Sequence, residues 1–266
     1  MFKTRLISGI VLVVAALFLI ITGGDVLLCA MGAVAACGLF ELYRVFQIEK
    51  GLMGAIGYLT LFVYYYNLKF AFIKDLMPLF LAAMILILAV YVFTFPKYHA
   101  NQMLCAFFGI FYVGVLVSFV YQTRMLPSGS FLVWLIFLSS WGCDTCAYCA
   151  GRLFGKHKMA PVLSPKKTIE GAIGGVLGSI ILTLIYSYVM KQFFIIPDRT
   201  MVVMLIVSAA GALISMVGDL AASAIKRNYE VKDYGKLIPG HGGIMDRFDS
   251  VFFTAPIVYY MAVYLI

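Results

Sequence analysis

Charged residues are scarce in this chain. Asp, Glu, Lys and Arg make up 12% of its 266 residues, about half the roughly 25% of an ordinary soluble domain. With so few polar side chains, a soluble domain of this length could not cover its own surface. That excludes a disordered chain, a nucleic-acid-binding module and most cytosolic enzymes. Proline is sparse, with eight residues, and strict apolar–polar alternation is missing, which removes a membrane β-barrel. Internal repeats and low-complexity tracts are missing as well. What is abundant is apolar: AVILMFWYC account for 64% of the chain, gathered in runs of about 17–25 residues, the length of a membrane-crossing helix. The expected fold is all-α, a polytopic integral membrane helix bundle.

Nine spans are predicted, over residues 6–22, 26–42, 52–68, 76–95, 103–121, 129–150, 171–190, 201–222 and 250–266. Turn or charge signals separate them, among them Gly23-Gly24-Asp25, Phe95-Pro96-Lys97 and Pro197-Asp198-Arg199. Lys3, Arg5 and the apolar stretch holding Ala33-Val34-Ala35 resemble a secretion signal, but Gly23-Gly24-Asp25 splits that stretch and further spans follow. The six cysteines lie in or beside apolar runs, where a thiol behaves as a small hydrophobe, so no disulfides are expected. The net charge of +8 reads as topology. With the N-terminus in the cytoplasm, 15 of the 20 Lys and Arg fall in inside loops and only Lys69, Lys74, Arg124, Lys191 and Arg199 fall outside. The whole chain is expected to be one membrane domain, 1–266, with scaffold helices in 1–128 and catalytic helices and cytoplasmic loops in 129–266.

The carboxylates give the reason for that division. Residues 1–140 hold Asp25, Glu41, Glu49 and Asp75, all near span ends, whereas Asp144 and Asp219 lie within spans. From the predicted spans both should sit within about 10 Å of the inner surface. A carboxylate there costs a few kcal/mol, roughly, unless it is paired, protonated or metal-bound. Each could simply pair with a nearby Lys; two converging on one face favour a functional cavity.

Two cytoplasmic loops surround these acids. In the loop after Asp219, Gly240, Gly242 and Gly243 let backbone approach a ligand, and their N–H groups can cradle anions. A helix starting near Ile244 would point its positive end at the same place, with Asp246 and Asp249 on one face. Lys226, Arg227, Lys232 and Arg247 supply charge for several phosphates, and His241 sits among the glycines. A positive-inside loop whose glycines only make turns would explain the charge, but not the clustered Gly, His and paired Asp. In the other loop Ser164 or Thr168 can cap the next helix, with Lys166 and Lys167 beside its positive end. The bland alternative is a capped membrane helix whose glycines permit close packing. Cys143-x2-Cys146-x2-Cys149 has iron–sulfur-like spacing but no fourth Cys. Gly151-x3-Gly155-Lys156 is one residue short of a P-loop and lacks its Ser/Thr. His99 and His157 read as isolated loop residues.

Over residues 223–249 the run S-x-x-K-R-x4-K-D-x-G-x3-P-x-H-G-G-x2-D-R-x-D resembles the signature of the phosphatidate cytidylyltransferases, also called CDP-diacylglycerol synthases. Trp141-x2-Asp144-x2-Ala147-Tyr148, Ser164 to Gly171 and Gly218-Asp219 are similar to the family's other blocks. The resemblance is specific from about 140 to 255. It implies an Mg²⁺-dependent, multi-pass enzyme of the bacterial inner membrane, a homodimer, that joins CTP and phosphatidate into CDP-diacylglycerol and pyrophosphate near the cytoplasmic face. Asp219 and Asp246 match the family's metal-binding acids, and Asp144 and Asp249 its other essential carboxylates. Lys226, Arg227 and Arg247 would join these in catalysis. Lys166, Lys167, Thr168, Ser223, Lys232, His241, Gly242 and Gly243 would hold substrate phosphates. A second, monovalent cation is left open, and no nucleic acid is expected.

Three rivals frame that reading. A CTP-dependent lipid kinase would need a similar cavity but would transfer the γ-phosphate. A CDP-alcohol phosphotransferase would carry an Asp-Gly pair, which this chain lacks. A transporter would place its acids near the midplane between repeated halves, whereas here they lie near one surface and no repeat is present.

Overall fold

The structure, a computed structural model, describes residues 2–193, 196–238, 240 and 242–266, with side chains from residue 9 onward. Among the described residues there are nine helical segments: α1 (Phe2–Thr22), α2 (Gly24–Val45), α3 (Leu52–Phe70), α4 (Met77–Phe93), α5 (Ala100–Arg124), α6 (Gly129–Phe154), α7 (Ile169–Met190), α8 (Asp198–Asn228) and α9 (Met245–Leu265). Each expected span falls on one of them. Six helices, α2 and α5 to α9, are long and apolar enough to cross a membrane, while α4 and the Gly9–Thr22 part of α1 are apolar but shorter. Large apolar side chains such as Phe18, Ile85, Leu177 and Leu213 stand exposed, as expected where lipid replaces water. The chain is an all-α, multi-pass membrane protein.

Two compact units divide it: Met1–Tyr121 with Tyr229–Arg247, and Gln122–Asn228 with Phe248–Ile266. In the first, Tyr43 of α2 is fully buried, and its hydroxyl donates to the Ala106 carbonyl at 2.5 Å. Gly57 and Gly109 leave the space its ring fills. Tyr64 of α3 and Ser118 of α5 share a hydrogen bond of 2.8 Å. Both polar groups are thereby satisfied away from water, which has no substitute inside a bilayer.

In the second unit, Gly171, Gly174, Gly175 and Gly178 repeat at helical spacing and form one face of α7. That face packs on Cys143, Cys146, Ala147, Ala150 and Gly151 of α6. A methyl on Gly175 would come within 2.9 Å of both Ala147 Cβ and Cys143 Sγ. The cysteine spacing that imitates a cluster site is therefore a stripe of small residues, with Cys143 buried and Cys149 exposed. Such stripes let membrane helices approach closely enough for backbone-to-backbone van der Waals contact. Between α7 and α8, Thr183 Oγ1 donates to Ser208 Oγ at 2.8 Å, and Ser208 donates to the Ser179 carbonyl at 3.2 Å.

Three local features were not foreseen. Residues Leu138–Gly142 of α6 form a π-helical turn, in which Ser139 and Ser140 donate back to the Leu135 and Ile136 carbonyls. Such a turn inserts a residue and re-aims the face that follows, here the face carrying Asp144. A second feature is an antiparallel hairpin in the expected 151–170 loop, β1 (Lys158–Ala160) paired with β2 (Ser164–Thr168). Third, α6 and α8 outrun their apolar stretches and end at Phe154 and Asn228. Asp144 and Asp219 therefore lie ten and nine residues from their helix ends, about 15 and 14 Å along the axis.

Candidate active site

The second unit carries an open cavity of about 310 Å³. Asp144 and Arg152 enter it from α6, Lys166, Lys167 and Thr168 from β2, and Asp219 from α8, while Ala147, Met159, Ala172 and Met216 line the rest. The hairpin explains how the lysines arrive there. Thr168 ends β2 and caps α7, its Oγ1 accepting the Gly171 N–H at 3.1 Å, so Thr168 rather than Ser164 is the cap. Gly151 and Gly155 pack against Thr168, leaving no room for a side chain; these glycines of the P-loop look-alike are spacers. Glu170, in the first turn of α7, accepts from the Lys156 and His157 N–H groups at 3.1 and 3.2 Å and meets His157 Nδ1 at 2.6 Å. His157, expected to be isolated, is thus tied to the helix that follows.

Lys167 Nζ forms an ion pair with Asp219 Oδ2. The next residues down α8 at helical spacing are Ser223 and Lys226, which share the Asp219 face; Arg227 points outward and is exposed. Asp249 of α9 is buried, accepts the Ser250 N–H at 2.8 Å and lies within electrostatic reach of Asp219, Lys226 and Asp144. Gly218 makes this approach feasible, since a methyl there would come 2.7 Å from the Asp249 carbonyl oxygen. Trp141 packs edge-on against Phe248, with centroids 6.0 Å apart, bracing α6 and α9 beside their acids. Asp144, Asp219, Asp249 and the basic groups Lys167 and Lys226 are thus brought into one electrostatic neighbourhood.

The glycine-rich loop belongs to the first unit. Asp246 is buried, and its Oδ2 accepts N–H bonds from Tyr234 at 2.9 Å and Gly243 at 3.0 Å. Ile238 donates to the Gly242 carbonyl at 2.9 Å. The turn between them has φ of +78° at Gly240 and +84° at Gly242, the left-handed region open to glycine at little cost. The Gly243 N–H, expected to face an anion, instead donates to Asp246 and organises the loop. Lys232 is exposed and Arg247 half-buried. His241 lies outside the described residues.

Two side chains in this unit escaped the sequence reading. Glu41 of α2 is buried, and its Oε2 accepts the Met245 N–H at 3.0 Å. Arg44, one turn on, donates to the Tyr234 carbonyl at 2.6 Å. The one available signal was an acid at the end of a span, a placement that local caps and pairs already explain. Arg152 was likewise counted only as inside charge.

The donor set suits Mg²⁺, which takes hard oxygen ligands, commonly one or two carboxylates completed by substrate phosphates and water. Among the described residues no three His, Cys, Asp or Glu side chains form a closed cage, and a metal shared with a nucleotide does not call for one.

Fold and site together define a multi-pass membrane protein with acids and bases gathered in one open cavity. The chain belongs to the cytidylyltransferase family, whose family model matches residues 3–265. It is 33% identical to the phosphatidate cytidylyltransferase of Bacillus subtilis (strain 168), covering 97% of each chain. It is 34% identical to that of Staphylococcus saprophyticus, covering 96% of this chain and 97% of the relative. The Staphylococcus aureus (strain COL) phosphatidate cytidylyltransferase is 33% identical, with the same coverage.

Proposed function

We propose that this chain is a phosphatidate cytidylyltransferase that makes CDP-diacylglycerol and pyrophosphate from CTP and phosphatidate at the cytoplasmic face of a bacterial inner membrane. The observation that carries the reading is the cavity in which the Lys167–Asp219 pair, Asp144 and Arg152 meet beneath the α7 N-terminus. Family membership supports nucleotidyl transfer, and the relatives' printed name supports phosphatidate as acceptor. An acceptor phosphate oxygen is already ionised at neutral pH, so it attacks the α-phosphorus without a strong base. The α–β bridging bond breaks and pyrophosphate leaves with the electron pair. Lys166, Lys167, Lys226 and Arg152 neutralise the phosphates, and the α7 N-terminus adds its positive end. Thr168, Ser223, Lys232 and the Gly242 turn complete the phosphate contacts; Arg227 and Arg247 add charge at the rim. His241 is carried as a further contact.

Asp219 and Asp246 would hold Mg²⁺, which when bound offsets charge growing on the leaving group. The pairing rests on the match of Gly218-Asp219 and of the 223–249 run to the family's blocks. Asp144 and Asp249 keep the site's charge balanced around the bound cations. Nine crossings follow from span length and hydropathy, the cytoplasmic N-terminus follows from the loop charges, and the homodimer is carried with the family reading.

The test is the fate of label. CTP labelled at the α-phosphate, given phosphatidate, should pass its label to the organic phase while γ-label stays in water. Gamma label in the lipid would replace this reading with a CTP-dependent lipid kinase.

A further inference from the structure

The same turn of α2 touches both ends of the glycine-rich loop. Arg44 donates to the Tyr234 carbonyl where the loop enters, and Glu41 accepts from Met245 where it leaves. Residues three apart share a helix face, so the two side chains act from one rigid edge. Gly235 and Gly243 lie directly against the Glu41 carboxylate, and a side chain at either position would overlap it. Between these clamps Asp246 gathers the Tyr234 and Gly243 N–H groups. The loop is therefore closed on itself by one buried acid and fastened to the helix by a second. Glu41 sits 204 residues from its partner, in the half of the chain that otherwise supplies scaffold.

We propose that Glu41 and Arg44 are positioning residues for the reaction, holding residues 234–238 and 242–245 in the conformation that presents Asp246 and Gly242 to the nucleotide phosphates. This rests on the proposed cytidylyl transfer. A buried carboxylate is expensive in a membrane helix, and the buried Met245 N–H that it accepts is costly to orphan. Each cost offsets the other, which makes the loop geometry depend on Glu41 being in place. The ordering of a site by groups that do not touch substrate commonly carries about 10- to 100-fold in activity.

The experiment compares Glu41→Gln, Glu41→Ala, Arg44→Ala and Arg44→Lys with the wild type, in detergent or nanodiscs. Three readouts are taken: CDP-diacylglycerol formation, thermal unfolding, and hydrogen exchange of the 242–246 amides. Glu49→Gln, near the same helix end, serves as the control. Glu41→Gln should lower kcat by about 10- to 100-fold, speed exchange at 242–246 and leave the unfolding temperature near wild type. Arg44→Lys should recover most of what Arg44→Ala loses, because an ammonium still donates to the Tyr234 carbonyl. Where Glu41→Ala does not accumulate, Glu41→Gln carries the comparison. Wild-type turnover and unchanged loop exchange in Glu41→Gln would overturn the proposal. So would exchange that rises throughout the first unit with a fall in unfolding temperature, which marks a core residue. If the wild type makes no CDP-diacylglycerol, the function fails separately, since loop exchange is read without turnover.

Discussion

Lys167 and Asp219 meet although one lies on a hairpin strand and the other deep in α8. A half-buried charge pair is a poor source of stability, so under the proposed function its worth lies in what each partner does when nucleotide arrives. Asp219→Asn and Asp246→Asn should each lower turnover on the order of 10³-fold, as loss of a catalytic electrostatic group does. Both proteins should still insert and purify. Near-full activity of either variant across an Mg²⁺ titration would remove that residue from the metal site. Lys167→Met should raise KM for CTP and lower kcat/KM by about 10²-fold, measured with phosphatidate saturating; an unchanged KM would free Lys167 of any phosphate role. At this scale sequence reasoning singled out Asp144, Asp219, Asp249 and the Lys166-Lys167-Thr168 run, because acids inside apolar spans and bases before a helix are local signals. It passed over Glu41, Arg44, Arg152 and the His157–Glu170 contact. Their meaning depends on partners supplied by other elements, and nothing in their own neighbourhood names those partners.

Helices were found where hydropathy runs long, and α6 and α8 continue past the predicted spans. Apolar content stops where lipid stops, whereas backbone hydrogen bonding continues for another turn or more in α6 and α8. The hairpin Lys158–Ala160 with Ser164–Thr168 escaped notice because strands of three and five residues are too short for alternation to register. The glycines of α7 have a sharper consequence. Gly178 faces the Cys146 side chain with no space between, so Gly178→Leu overpacks the α6–α7 contact and should cost about 1–3 kcal/mol. Thermal unfolding in detergent measures this, with Leu177→Ala, on the exposed side of α7, as a control expected to change little. Equal unfolding temperatures for Gly178→Leu and wild type would mean the ladder is not a tight contact. If α6 shifts to accommodate the leucine, activity should fall along with stability, because α6 also carries Asp144 and Arg152.

For the whole molecule, the loop charges predict which side each loop faces. In a background whose exposed native cysteines are replaced, Ser128→Cys should react with an impermeant maleimide from outside, and Lys236→Cys should react only after the membrane is opened. The opposite pattern would reverse the orientation and put the site on the wrong side for cytoplasmic CTP. What the sequence alone determined is the class of fold and the place of the long apolar helices. Those follow from composition and from signals spaced within a few turns, which local physics reads directly. Only the tertiary structure decided that Thr168 is the cap, that Lys167 meets Asp219, that the Gly243 N–H serves Asp246, and that Glu41 and Arg44 fasten the loop. Each of these except the cap depends on chain folding back to supply a partner's carboxylate, carbonyl or N–H. The capping choice depended on where β2 ends, which the hairpin pairing sets.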